Sequence, residues 1–202
     1  MKRPKLEPRA ADDAALKRET GKDRAGWFAV LDQSGGSGRG ALGKVLLAAK
    51  VDPWWIGTLL VDHEAARGVV EKDGKPKGYS LCVTKTVAAP VTRVFQAFTT
   101  AKDLDRWFGP GTRISAEPGG KLENADGNLA TITKVRPDKA LVMAWETRDL
   151  APDSQVEVLF QPKADKTGIV VNHTRIVDPA DADATRAAWG EALTKLKALL
   201  EA

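Results

Sequence analysis

The chain has 202 residues and a formal net charge of +4, and 43% of its residues are hydrophobic. These values predict one or two folded domains with a substantial core. No apolar run approaches the roughly 18 residues that span a bilayer, and the charged N-terminus lacks the apolar stretch of a secretory signal. We therefore expect a cytoplasmic protein. Its one cysteine, Cys82, cannot form an internal disulfide, and with only His63 and His173 beside it we expect no metal site.

The positive charge is concentrated in the N-terminal part of the chain. Residues 1–77 carry 15 Lys+Arg and 11 Asp+Glu, whereas residues 78–202 carry 16 of each. The surplus is mild and contains no block of five or more like charges, which is typical of a solvated surface. Nucleic-acid binding is therefore not the leading expectation.

The first 78 residues predict a small helical module between two irregular segments. Residues 1–19 are polar and charged, and predict a mobile, disordered tail. Residues 20–70 predict a three-helix module, whose surface could contact a protein partner. Residues 71–78, with the sequence EKDGKPKG, combine glycine, proline and alternating charge and predict a linker.

Cap signals place the ends of two of these helices. Thr20 with Asp23 three residues later resembles a capping box at the start of the first helix. Asp52 followed by Pro53 provides the N-cap and the first position of the third helix.

One motif in this module resembles a phosphate-binding loop. Residues 38–44, GRGALGK, fit the G-x-x-x-x-G-K pattern. A phosphate-binding loop follows a buried strand and has Ser or Thr after the lysine, whereas here a helical pattern precedes the motif and Val45 follows it. We interpret the segment as a helix–helix connection and expect no nucleotide cofactor.

Residues 79–202 predict an α+β domain. Pro90 opens an amphipathic helix, Asp103 caps a short one, and Asp181 caps a long final helix over about 182–201. Alternating segments predict strands at 79–88, 112–117, 120–124, 128–136, 139–147, 154–163 and 168–177. This order of elements is typical of a curved sheet that grips one long helix and leaves a cavity between them.

Three segments of the domain carry a resemblance to a known superfamily. They read TKTVAAPVTRVFQAFTTAKDLDRWFGP, KVRPDKALVMAWE and GIVVNHTRIVDPADADATRAAWGEALTKLKALL. They resemble the SRPBCC superfamily of START-like helix-grip proteins, and within it the bacterial branch named after the heat-shock-protein-90 ATPase activator homologue. The resemblance covers 78–202 and implies an antiparallel sheet around the last helix with an internal cavity. It does not imply chaperone regulation. Residues 20–68 also resemble a small bacterial family of unknown function that opens with a Thr-Gly-Lys motif.

The implied cavity makes the aromatic and apolar residues near the last helix the candidate ligand contacts. These are Phe95, Trp107, Phe108, Met143, Trp145, His173, Trp189 and Leu193. No set of residues forms a catalytic constellation. The favoured interpretation is therefore a protein that binds an apolar, aromatic or lipid-like small molecule. Two alternatives stay open: a cavity enzyme of the cyclase, hydrolase or dehydratase type with His173 as acid or base, and an interaction or sensor protein whose basic helical module contacts nucleic acid or a protein.

Overall fold

The chain forms two compact units in a computed structural model that describes residues 1–146 and 154–202. We call Glu7–Tyr79 the helical unit, and Met1–Leu6 with Ser80–Ala202 the sheet unit. In chain order the elements are α1 (Asp13–Thr20), α2 (Arg24–Gln33), α3 (Gly38–Ala48), α4 (Pro53–Ala66), β1 (Tyr79–Val87), α5 (Val91–Thr99), α6 (Ala101–Trp107), β2 (Arg113–Ile114), β3 (Lys121–Glu123), β4 (Leu129–Arg136), β5 (Ala140–Trp145), β6 (Ser154–Lys163), β7 (Lys166–Ile176) and α7 (Pro179–Glu201).

The helical unit buries one apolar cluster among its four helices. Trp55 and Leu59 on α4 are fully buried, and they share the cluster with Leu16, Leu31 and Leu46 from the other three helices. The indole N–H of Trp55 donates to Glu19 at 2.9 Å, so the buried ring keeps its polar atom satisfied. Asp52 caps α4 as predicted, since its side chain accepts from the backbone N–H of Trp54 at 3.0 Å.

The N-terminal region differs from its prediction in two ways. Helix α1 lies inside the segment expected to be a disordered tail, so the chain has four helices before the sheet where the sequence predicted three. The capping box at Thr20 does not form, because Thr20 ends α1 and Asp23 is itself the N-cap of α2. Thr20 Oγ1 instead accepts from the indole N–H of Trp27 at 2.7 Å.

The sheet unit is a seven-stranded antiparallel sheet in the order β1-β7-β6-β5-β4-β3-β2. Adjacent strands from β2 to β7 follow one another along the chain, and their register pairs Met143 with Val156 and Val156 with His173. A register shift interrupts the ladder between Ile132 and Lys134; such irregularities bend a strand and increase its twist. All seven strands lie where the sequence predicted them, although residue 147 of the expected fifth strand falls outside the described residues.

Helix α7 packs its apolar stripe against this sheet. Its fully or nearly fully buried residues recur at helical spacing and include Thr185, Trp189 and Leu193. The helix begins earlier than predicted: Asp178, not Asp181, is the N-cap and accepts from the backbone N–H of Ala180 at 2.7 Å. Similarly, Thr100 rather than Asp103 stands at the N-cap position of α6.

Candidate ligand-binding pocket

The space between α7 and the middle of the sheet is filled by aromatic side chains. Trp189 lies 5.9 Å from Trp145 and 5.7 Å from Phe108 between ring centroids. The ring of Trp107 is 5.4 Å from that of Phe108, and its indole N–H donates to the Ala97 carbonyl at 2.9 Å. A cavity of only about 10 Å³ remains among these rings. That is about the least volume that holds one water molecule, so this interior has no room for an organic ligand as it stands.

The eight candidate ligand contacts therefore separate by position. Four of them line the small internal cavity, namely Trp107, Phe108, Met143 and Trp189. Trp145 lines a much larger pocket. Phe95, His173 and Leu193 line neither of these two cavities, nor a third one of about 160 Å³ beside them. Phe95 instead packs edge-on against Phe160 with ring centroids 5.5 Å apart.

The larger pocket has a volume of about 600 Å³, and we call it the tail pocket because residues 1–5 form one of its walls. The opposite side consists of Trp145, of the turn between β3 and β4, and of the first turns of α7. Its lining residues are Met1, Lys2, Arg3, Pro4, Lys5, Glu123, Asn124, Asp126, Gly127, Asn128, Leu129, Trp145, Asp181, Ala184 and Thr185. The volume lies in the range of pockets that hold small organic ligands.

Unpartnered polar atoms concentrate at this end of the sheet unit. Among the described residues, three buried side-chain polar atoms have no hydrogen-bond partner: Asn124 Nδ2, His173 Nε2 and Thr185 Oγ1. Asn124 and Thr185 both line the tail pocket. A buried polar atom without a partner costs roughly 1–3 kcal/mol, so such atoms are rare in folded proteins and frequently mark a binding site.

His173 lies beside Trp145 and is fully buried. Its ring centroid is 5.7 Å from that of Trp145, and its Nδ1 accepts from the indole N–H of Trp189 at 3.4 Å. Because an indole nitrogen only donates, Nδ1 carries no proton and the neutral ring holds its proton on Nε2. Burial, and secondarily the nearby Arg3 cation, lower the pKa of His173 to about 3.

The chain segment 1–6 is the part of the pocket that the sequence did not predict. Met1 is 5% exposed, its amino group lies 3.2 Å from Asp126 Oδ2, and Arg3 Nη1 donates to Asp181 Oδ1 at 3.0 Å. A glycine at 109 makes room for this arrangement, because a Cβ there would lie 2.8 Å from the Met1 nitrogen and 2.5 Å from Asn124 Nδ2. The sequence feature that could have pointed to this segment is the cluster of Lys2, Arg3 and Lys5, because it holds most of the net charge of the chain.

The remaining candidates of the sequence have structural roles. The GRGALGK motif forms the first two turns of α3, and the element before it is helix α2 rather than the strand that a phosphate-binding loop follows. His63 is 6% exposed, and its Nε2 lies 2.9 Å from Asp32 Oδ1. The described residues contain no group of three side chains able to hold a metal ion. They also include no helix with the length and apolarity that a bilayer crossing requires.

A family model matches the part of the chain that carries the sheet and α7. The model described as Activator of Hsp90 ATPase homolog 1-like protein matches residues 88–201. The chain belongs to this family. The resemblance to the helix-grip superfamily is thereby confirmed.

Solved structures with the same fold cover this region as well. CalU16 from Micromonospora echinospora shares 23% identity, with 58% of this chain and 71% of that chain aligned at a TM-score of 0.53. PFC0360w, an HSP90 activator from Plasmodium falciparum, shares 24% identity over 61% of this chain and 97% of its own, with a TM-score of 0.57. The Aha1 dimer from Colwellia psychrerythraea shares 19% identity over 60% of this chain and 96% of its own, with a TM-score of 0.54. At these identities the likeness establishes the fold alone. No curated protein matches the chain.

Proposed function

We propose that the sheet unit binds a small organic molecule in the tail pocket. An aromatic or apolar part of the ligand lies against Trp145, and oxygen atoms of the ligand face Thr185 and Asn124. The observation that carries this proposal is that Trp145, Asn124 and Thr185 line one pocket of about 600 Å³, and that the last two each bury a polar atom without a partner beside it. Apolar contact contributes roughly 25 cal/mol per Å² buried, and the few polar groups fix the orientation of the ligand.

The polar atoms favour a ligand with hydrogen-bond acceptors. Asn124 Nδ2 can only donate, and the hydroxyl of Thr185 can donate and accept. A ligand that carries a carbonyl, a phenol or an ether oxygen satisfies both groups. A pure hydrocarbon leaves them unpaired and forfeits the corresponding free energy.

The lowered pKa of His173 and its hydrogen bond to Trp189 favour binding over catalysis. A base whose conjugate acid has a pKa of about 3 takes up a proton poorly near neutral pH, where a general base works best with a pKa close to 7. Its Nδ1 is also engaged by Trp189. The enzyme alternative that depends on His173 therefore lacks its acid or base.

A nucleic-acid role for the helical unit loses its electrostatic support. Residues 7–79 carry 12 Lys+Arg and 11 Asp+Glu, whereas residues 1–6 carry three Lys+Arg and no acid. Most of the N-terminal surplus therefore belongs to the segment that lines the tail pocket. Sequence-independent binding to nucleic acid needs a concentrated positive surface, which a net charge of about one does not provide.

The test fills the pocket by substitution. Ala184 is half-buried and lines the tail pocket, so Ala184→Phe should occupy part of its volume without cutting into the core. We expect the full-length protein to bind phenylnaphthylamine, a neutral aromatic amine, with a rise in dye fluorescence and in melting temperature. Ala184→Phe should weaken this binding by roughly tenfold or more, as loss of about 1.4 kcal/mol of contact does.

Ala187→Phe is the matched control. Ala187 lies on the same helix with a similar half-buried environment and lines none of the three cavities. It should bind the dye as the unsubstituted protein does. The proposal is wrong if Ala184→Phe binds as tightly as Ala187→Phe, or if no aromatic compound raises the melting temperature.

A further inference from the structure

We infer that the tail pocket selects ligands that carry an anionic group, and that Lys2 and Lys5 receive it. The group is a carboxylate, sulfonate or phosphate attached to the aromatic or apolar part that contacts Trp145. This inference rests on the proposed function and adds the chemical class of the ligand.

Among the described charged side chains that line the pocket, those of Lys2 and Lys5 have no ion-pair partner. Each of the three acidic residues of the lining already has a basic partner. Asp181 pairs with Arg3 at 3.0 Å, and Asp126 with the amino group of Met1 at 3.2 Å. Glu123 pairs with the guanidinium of Arg113 at 2.8 Å. Lys2 and Lys5 line the pocket, yet neither has an ion-pair partner among the described residues.

The two lysines are held at the pocket although their segment has no regular secondary structure. Met1 anchors one end, with its side chain 3% exposed between the tail pocket and a neighbouring pocket of about 160 Å³. Arg3 anchors the middle through Asp181 on α7, and its side chain is 17% exposed. Lys2 lies between these two anchors, so its backbone is held while its ammonium group stays free to turn to a ligand. Lys5 follows two residues after Arg3 and lines the same pocket.

The deeper part of the pocket also suits an anion. The Arg3 cation lies near enough to contribute to the lowered pKa of His173, whose ring packs beside Trp145. Asn124 Nδ2 and the Thr185 hydroxyl have unused hydrogen-bonding capacity, and hydrogen bonds to an ionised oxygen are about twice as strong as those to a neutral one. An amphipathic aromatic acid fits this combination. Its ring would contact Trp145, and its acidic group would meet the hydrogen-bond donors and the two lysines.

The test compares two dyes that differ only in charge. Anilinonaphthalene sulfonate is phenylnaphthylamine with an added sulfonate, so their affinity ratio isolates the anionic group. The full-length protein should bind the sulfonate more tightly, and this preference should shrink as sodium chloride rises. The double variant Lys2→Gln/Lys5→Gln should weaken binding of the sulfonate by roughly 2- to 30-fold, the range for two exposed charge pairs, and leave the neutral dye unchanged.

The double variant Lys139→Gln/Lys163→Gln is the matched control. It removes two exposed lysines of the sheet unit that lie near the opposite ends of β5 and β6 from Trp145. The control should bind both dyes as the unsubstituted protein does. Equal affinity for both dyes, or equal effects of the two double variants, overturns the inference while the proposed function stands if the neutral dye binds. Failure of both dyes to bind overturns both.

Discussion

A buried histidine with a tryptophan donor shows how a single residue limits the chemistry of this fold. The sequence placed His173 on the inward face of a strand, and the structure agrees. Alternation in a strand could not reveal that Trp189 would occupy its Nδ1 or that burial would lower its pKa to about 3. Both effects depend on α7, whose Trp189 is 16 residues away in sequence.

The same residue predicts a pH dependence of stability. Unfolded His173 takes up a proton near pH 6.5, whereas the folded residue does so only near pH 3. Between these values the unfolded state binds more protons, so the free energy of unfolding falls as the pH is lowered, by about 1.4 kcal/mol per pH unit for one proton. His173→Gln keeps an acceptor for Trp189 and should remove this slope.

The measurement is urea unfolding between pH 4.5 and 6. Above this window, the pKa of the Met1 amino group, lowered from 8.0 to about 6, would contribute. At its lower edge and below it, the lowered pKa values of five carboxylates add to the loss of stability in the same direction, namely those of Glu19, Asp32, Asp103, Glu146 and Glu201. An unchanged slope in His173→Gln, or an NMR signal assigned to the His173 imidazole that titrates near pH 6.5, would contradict the assignment.

At the scale of elements, local signals predicted most of the sheet unit. Each strand has one face buried, so apolar residues must alternate, and this alternation located all seven strands. The start of α7 was less certain because Asp178 and Asp181 are both good N-caps. Pro179, which suits the first helical position, is the residue that decides between them. The same Asp-Pro signal placed α4 correctly.

Helix α1 was not predicted, and the reason differs from that for the start of α7. Only Ala15 and Leu16 are buried on it, so its apolar stripe is too short to stand out in a polar segment. Its stability comes from packing within the helical unit rather than from its own sequence, as is usual for short helices.

The cap of α7 gives a prediction at this scale. Asp178→Ala removes the side-chain acceptor of the backbone N–H groups of Ala180 and Asp181 and should cost about 1 kcal/mol of stability. Asp181→Ala removes only the ion pair with Arg3, in which Asp181 is 38% exposed, and should cost less than half as much. Urea midpoints of the two variants provide the measurement. A larger loss of stability in Asp181→Ala than in Asp178→Ala would support Asp181 as the N-cap of α7, as the sequence predicted.

At the scale of the whole molecule, sequence patterns could not predict the tail pocket. Its walls come from residues 1–5, from 123–129, from Trp145 and from the start of α7. Periodicity and caps report on neighbours along the chain, whereas these segments meet only after folding. The assignment of Met1–Leu6 to the sheet unit, across the whole helical unit in sequence, is the clearest example.

Two separate cores predict two separable unfolding events. Trp55 is fully buried in the cluster of the helical unit, and Trp189 is 1% exposed in the sheet unit. Replacing either with Ala should destabilise its own unit by roughly 3–5 kcal/mol, because the substitution removes buried apolar area and leaves a cavity. Trp55→Ala should therefore accelerate hydrogen exchange in 7–79 alone, and Trp189→Ala in 80–202 alone. Peptide-resolved hydrogen exchange by mass spectrometry measures this directly. If each substitution accelerates exchange equally in both ranges, the chain unfolds as one cooperative body and the two units do not have independent stability.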